Sequence, residues 1–220
     1  MGRPHQTLLS RTAIAHAALE LIDDRGYEAL TMRALADRLG VRGASLYNHV
    51  GSKDDILDAV SELLDAEIDH APLRREPWTE GIAAYARGYR RVFQRHPNAI
   101  ALVARRAVHT EGALREYDTL LATLIGAGCT PALAAETAAA LDFLVIGSAL
   151  ETYAAGFTKP PAGYRPDHPA LADSLEAATR IDPSPTALDD RGFELGLRMI
   201  LGGVAAQLAS TGNTADAGGD

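Results

Sequence analysis

Ser45, Tyr47, Asn48 and His49 stand within five positions in the stretch LGVRGASLYNHVGSKDDIL, residues 39–57. Leu46 and Val50 are four apart among them, so on a helix they share one side and the polar tips take the others. An asparagine amide pairs bidentately with adenine, and Tyr, His and Ser reach phosphates or base edges. Gly43 and Ala44 just before them allow close approach of the backbone to a large partner. Lys53 opens the next helix, where free backbone N–H groups also attract phosphate. With Arg42 at the turn, this set points to contact with duplex DNA. Bond-making chemistry finds little support. The chain has no G-x-S-x-G, Walker loop, dinucleotide fingerprint or H-E-x-x-H. Cys129, beside Thr130-Pro131, has no identifiable His to activate it and reads as a loop or cap residue. The seven histidines are scattered, which predicts no metal site.

A recognition helix of barely two turns is not stable alone, so its neighbours must hold it. Period-2 strand patterns are absent and helical spacing recurs throughout. A first helix is predicted over 10–25, with Ile14, Ala18, Leu21 and Ile22 on one face and Gly26 as its stop. A second starts at Thr31, a cap residue, buries Met32, Leu35, Ala36 and Leu39, and ends at Gly40. The third is expected over 44–50. Ser52 then caps a long fourth helix carrying Ile56, Leu57, Val60, Leu63, Leu64 and Ile68. Helix, short turn, short helix, braced by a first helix, is the helix-turn-helix arrangement, whose second element lies in the major groove. On spacing alone, a surface turn between two helices of an ordinary bundle reads equally well.

The rest of the chain also reads as helix: 78–95, stopped by His96-Pro97; 98–109; 111–127; 131–155; 170–180; and 187–208. On the first of these, Ile82, Tyr85, Tyr89, Val92 and Phe93 share a face, with Arg87, Arg90, Arg91 and Arg95 mostly elsewhere. Four prolines in 157–169 predict a loop, and 211–220 is expected to be a disordered tail. The most apolar run, 132–150, contains Glu136 and Asp142, which predicts a buried helix and no membrane span. A lone cysteine and an N-terminus without an apolar core fit a reducing cytoplasm. Net charge is −8, yet the segment up to Lys53 carries seven bases and five acids, leaving −10 on the remainder. A slightly basic head on an acidic body suits a DNA-binding module attached to something with another task.

The segment LTMRALADRLGVRGASLYNHVGSKDDILDAV resembles the DNA-binding head of the TetR (tetracycline repressor) family in its Gly-Val turn, its Leu-Tyr-x-His-Val core and the Lys that follows. The resemblance implies that Thr31, Arg33, Ser45, Tyr47, His49 and Lys53 fall on DNA-contact positions. Gly43, Ala44 and Asn48 fall on the positions that select sequence. Tetracycline repressors often carry a larger polar residue, a proline and a tryptophan there, so a different operator is expected. YDTLLATLIGAG, IGSALE and FELGLRMILGGVAAQL extend the resemblance into the regulatory body. This implies an all-α fold: an N-terminal three-helix helix-turn-helix DNA-binding head (7–53), a connecting helix (54–71) and a helical-bundle ligand-binding and dimerisation domain (72–210). The helices near 131–155 and 187–208 would pair with their copies in a homodimer, and small residues such as Gly147, Gly196, Gly202 and Gly203 suit that packing.

For the ligand, the resemblance sets Glu151 near a drug-bound magnesium and aligns Tyr85 and Tyr89 with pocket residues. Asp69, with His70 beside it, takes the place of a pocket His. Thr123 is a further candidate, and Arg106 and His109 would lie near the mouth. The pocket's metal-ligand His has no clear counterpart, since Val103 or Ala107 falls there, and magnesium-tetracycline is not carried over. Asp142 needs a partner in its apolar run and reads first as a packing or dimer residue, then as a ligand contact. Tyr85 and Tyr89 also read as core aromatics. The expectation is a ligand-responsive repressor, with no cofactor, released from a double-stranded operator by a small-molecule inducer. A ligand-dependent activator and a small-molecule-binding protein or enzyme that has lost DNA binding are the alternatives.

Overall fold

The structure, a computed structural model, describes residues 9–103, 108, 110–150 and 153–216, with backbone alone at 101–103 and 212–216. Among these residues the chain is all α, without a strand. α1 (Arg11–Arg25) starts where Ser10 Oγ accepts from Ala13 N at 3.1 Å, and stops at Gly26, whose φ of 77° favours glycine. α2 (Met32–Leu39) repeats the device: Thr31 Oγ1 accepts from Ala34 N at 3.1 Å, and Gly40 closes it. α3 (Gly43–Leu46) is shorter than the expected 44–50. Residues 47–49 form a turn, and the N–H groups of His49 and Val50 both return to Leu46 O. Sharing one acceptor ends the helix early while still burying Val50.

α4 (Lys53–Ala66) begins with a reciprocal cap. Ser52 Oγ accepts from Asp55 N at 3.1 Å, and Asp55 Oδ2 accepts from Gly51 N at 2.8 Å. The helix ends at Ala66, ahead of the expected 71, and a 3₁₀ turn follows at Ala71–Arg74. α1 packs along α4. Ile14, Ile22, Leu35, Leu46 and Ile56 are fully buried in the head, each worth roughly 1.5–3 kcal/mol against exposure. Arg38 braces α2 to α1 through Glu20 and Asp24, both at 2.9 Å.

The body comprises α5 (Trp78–Arg95), α6 (Pro97–Val103), α7 (Glu111–Gly126), α8 (Pro131–Leu150), α9 (Pro169–Ile181) and α10 (Ala187–Asp216). α8 is central, packed against α5, α6, α7 and α10. It is long and apolar enough to cross a membrane by length alone, with mean hydropathy 1.6, but here it is the hub of the bundle. Two glycines mark close approaches. A Cβ at Gly81 would meet Pro72 O at 2.5 Å, and one at Gly196 would meet Leu144 Cδ1 at 2.8 Å.

Three expectations are corrected. Helix does not reach Ala155: Tyr153 is in a turn, and Ala154–Gly156 is a 3₁₀ turn whose Ala154 N donates to Asp189 Oδ1. α10 runs past Leu208 to Asp216, through residues expected as tail. No proline interrupts it there, and the Ser210 and Thr211 hydroxyls return to Gln207 O without breaking the ladder. Arg90, placed by periodicity away from the core, is buried. Its guanidinium holds Asp190 Oδ1 at 2.7 Å and Ser148 Oγ at 3.2 Å, and lies over the Phe193 ring. Paired in this way, a charge can be buried at the α5–α8–α10 junction.

Candidate nucleic-acid interface and internal cavity

The turn after α3 presents the residues that sequence chemistry selects. Tyr47 is 58% exposed although Leu46 beside it is fully buried. Asn48 and His49 are exposed as well. A large aromatic held out beside a buried leucine keeps contact area free for a partner. Thr31, Arg33, Arg42 and Ala44 are exposed, while Gly43, Ser45 and Lys53 are half-buried. Lys53 Nζ sits 3.8 Å above the Tyr27 ring, so a cation is fixed at the first turn of α4. Tyr27 escaped sequence reasoning because its link to Lys53 spans 26 positions. The caps of α2 and α4 fix the N–H groups of two helix starts, one on either side of the α3 turn in the chain. Oriented amides, a tethered lysine and exposed Tyr-Asn-His are the groups that grip phosphate and read base edges.

Head meets body around His96. Its Nδ1 lies 2.7 Å from Asp23 Oδ2 on α1, and Asn98 Nδ2 donates to Asp23 O at 3.0 Å. Arg95 holds Glu67, just beyond α4, at 2.6 Å. The corner between α5 and α6 is therefore tied to α1 and to the end of α4 together.

Within the body lies a cavity of about 240 Å³ walled by α4, α5, α7 and α8. Tyr85, Tyr89 and Asp142 line it. Tyr89 Oη donates to Asp142 Oδ1 at 3.1 Å, so Asp142 faces the cavity and not only packing. The rings of Tyr85, Tyr89 and Phe93 succeed one another at 5.9 and 5.0 Å, and His70 sits 5.3 Å behind Tyr85. Asp69 and Thr123 are outside the lining. Asp69 Oδ1 accepts from Ala71 N, and Thr123 Oγ1 donates to Leu73 O at 3.1 Å, tying α7 to the 71–74 turn. Arg106, His109 and Glu151 lie outside the described residues, as does the side chain of Val103.

Sequence reasoning missed Asp65, Glu116 and Tyr117, which line the cavity from α4 and α7. The available signal was helical: Ala113, Glu116, Tyr117 and Leu120 share a stripe, as do Asp58, Ser61 and Asp65. Burial pushes the Asp65 carboxyl up to about 6, with Glu62 adding to it, and Glu116 up to about 7, with Asp65 adding. Asp142 is also raised by burial, against the pull of the Tyr89 hydrogen bond. Burial holds the Tyr89 phenol well above its usual range and Tyr117 up to about 12. His70 is lowered by burial; its Nε2 is 2.9 Å from Glu116 Oε1 but off the line of a hydrogen bond. Val103 and Ala107 offer no ligand atom, and among the described residues no three His, Cys, Asp or Glu are grouped to hold a metal ion.

Comparison with known proteins identifies the family. Residues 14–60 match the family model of bacterial regulatory proteins of the tetR family, and 71–208 match the tetracycline repressor-like C-terminal domain. An HTH-type transcriptional regulator of Saccharopolyspora erythraea is 33% identical over 90% of this chain and 86% of its own. The class A tetracycline repressor from transposon 1721 of Escherichia coli is 30% identical over 90% and 92%. Among solved structures, the Streptomyces coelicolor TetR family protein ActR in complex with actinorhodin superimposes with a TM-score of 0.76 at 28% identity, covering 92% of this chain and 98% of that one. The two family models cover head and body in turn, and the chain belongs to the TetR family of ligand-responsive, DNA-binding transcriptional regulators.

Proposed function

We propose that this chain is a homodimeric repressor that binds a near-palindromic operator through Tyr47, Asn48 and His49 and is released by a small molecule in the α4–α5–α7–α8 cavity. The observation that carries the reading is exposed Tyr47 on a buried Leu46 anchor, in a chain that also holds a separate cavity. Thr31, Arg33, Ser45 and Lys53 hold phosphates, and Gly43, Ala44 and Asn48 meet the bases. Phe143 and Met199, 75% and 67% exposed, give α8 and α10 an apolar outer face that a second copy covers. α4 spans the two sites: Lys53 opens it at the head, and Asp65 on its last turn lines the cavity. Ligand that favours one position of α4 changes the spacing of the two heads, and that differential affinity is the switch. Such a protein works on cytoplasmic DNA, as a regulator and not an enzyme. ActR was solved with actinorhodin, which supports a small-molecule site in this fold without naming the effector here.

The test is selection of duplexes from a random library by the purified protein, with Tyr47→Ala in parallel. A near-palindromic site with half-sites about one helical turn apart, lost in the variant, is the expected result. Enrichment that survives Tyr47→Ala overturns the assignment of the head. Enrichment that depends on added ligand makes the protein an activator-type or co-repressed regulator.

A further inference from the structure

The cavity carries a charge pattern that its aromatic walls do not require. Beside Asp58, which has a partner of its own, Asp65, Glu116 and Asp142 reach it from α4, α7 and α8, and no lysine or arginine among the described residues lines it. Their protein partners are weak counterweights. Asp142 has the neutral Tyr89 hydroxyl, and Glu116 has His70, whose protonated form burial disfavours. The Asp65 side chain has neither ion pair nor hydrogen bond among the described residues. Carboxylates withdrawn from water without a cation are costly. Tyr85, Tyr89 and Phe93 line the same space, and the face of an aromatic ring carries the negative side of its quadrupole. A bare metal ion does not suit, because the three carboxylates are not grouped as ligands.

We propose that the effector is an organic cation: a protonated amine held by Asp65, Glu116 and Asp142, on an apolar or aromatic body lying against Tyr85, Tyr89 and Phe93. This rests on the cavity being the effector site and names the chemistry it selects. Removing any one carboxylate takes a charge-assisted contact from the ammonium, while an uncharged ligand of the same shape keeps its ring contacts.

The test uses three naphthalene probes of matched size at pH 7.5: 1-naphthylmethylamine as cation, 1-naphthalenemethanol as neutral analogue and 1-naphthoate as anion. Binding to the full chain is followed by calorimetry. The amine is expected to bind at least tenfold more tightly than the alcohol, with the naphthoate weakest. Asp65→Asn, Glu116→Gln and Asp142→Asn should each weaken the amine roughly tenfold and leave the alcohol within about twofold. Ala113→Trp, filling the cavity from a half-buried position, should remove all three probes, which locates the site. Alcohol or naphthoate binding as tightly as the amine overturns the proposal, as does indifference of the amine to all three amide variants or its failure to bind. Release of the selected operator is read separately. Carboxylate-dependent amine binding that leaves operator bound refutes the effector role and upholds the cation site. A neutral compound that enters the cavity and frees the operator does the reverse.

Discussion

Asp65→Asn is expected to stabilise the protein, because the native fold holds this carboxyl against its preference. Burial, with Glu62 second, keeps it at about 6 against 3.8 for a free aspartate. As pH rises the unfolded chain releases its proton first, so stability drains away between about pH 4 and pH 6 and stays lost above. Each pH unit of displacement corresponds to about 1.4 kcal/mol, which sets a ceiling of roughly 3 kcal/mol. The side chain is only partly buried, and solvent screening reduces this to about 1–2 kcal/mol. Asparagine keeps the shape and never ionises, so the variant should melt roughly 3–6 °C higher at pH 8 and lose that advantage toward pH 4. The assay is thermal unfolding of both proteins at one fixed concentration across pH 4–8, since dimerisation makes the midpoint concentration-dependent. A variant that melts lower at pH 8 would refute the reasoning by showing a native partner for the carboxylate, and one with the same advantage at pH 4 would refute it by showing that ionisation is not the source. The cost is what a site kept for a ligand predicts: groups useful to the effector are poorly satisfied without it.

Tyr47→Ala should leave unfolding within about 0.5 kcal/mol of the parent and still weaken operator binding more than tenfold, while Leu46→Ala, one position away and fully buried, should lose about 2–5 kcal/mol of stability; urea denaturation and gel shift separate the two. Gly81→Ala drives a methyl into the backbone oxygens of Pro72 and Arg75, at 2.5 and 3.0 Å, which cannot swing aside as a side chain would. It should cost about 1–3 kcal/mol, checked by the urea midpoint, and a neutral result would mean that the 71–74 turn moves freely. Met199→Glu, on the open side of α10, should leave each chain folded but shift sedimentation from dimer to monomer. An unchanged dimer would place the interface elsewhere.

The sequence by itself determined what neighbours in the chain decide. Thr31 and Ser52 cap the helices they were expected to cap, because capping is a bond across three residues, and Ser10 does the same one position ahead of α1. Leu46 buried, Tyr47 exposed and Val50 buried again follow from the four-residue spacing of the two apolar side chains, which the turn after α3 keeps, and the head was legible as a unit for that reason. α10 outran its expected end because composition signals disorder only on average, while the helical ladder continues where nothing breaks it. Tertiary structure alone decided what helices do to each other. Arg90 lies off the apolar stripe of its own helix, and only Asp190 and Phe193, about a hundred positions later, make burying it tolerable. The same holds for Lys53 on Tyr27 and for His96 on Asp23. Asp65, Glu116 and Asp142 read singly as solvated or packing residues. They become one acidic cavity only when α4, α7 and α8 close around it, since periodicity assigns a face to each helix but packing decides which faces meet.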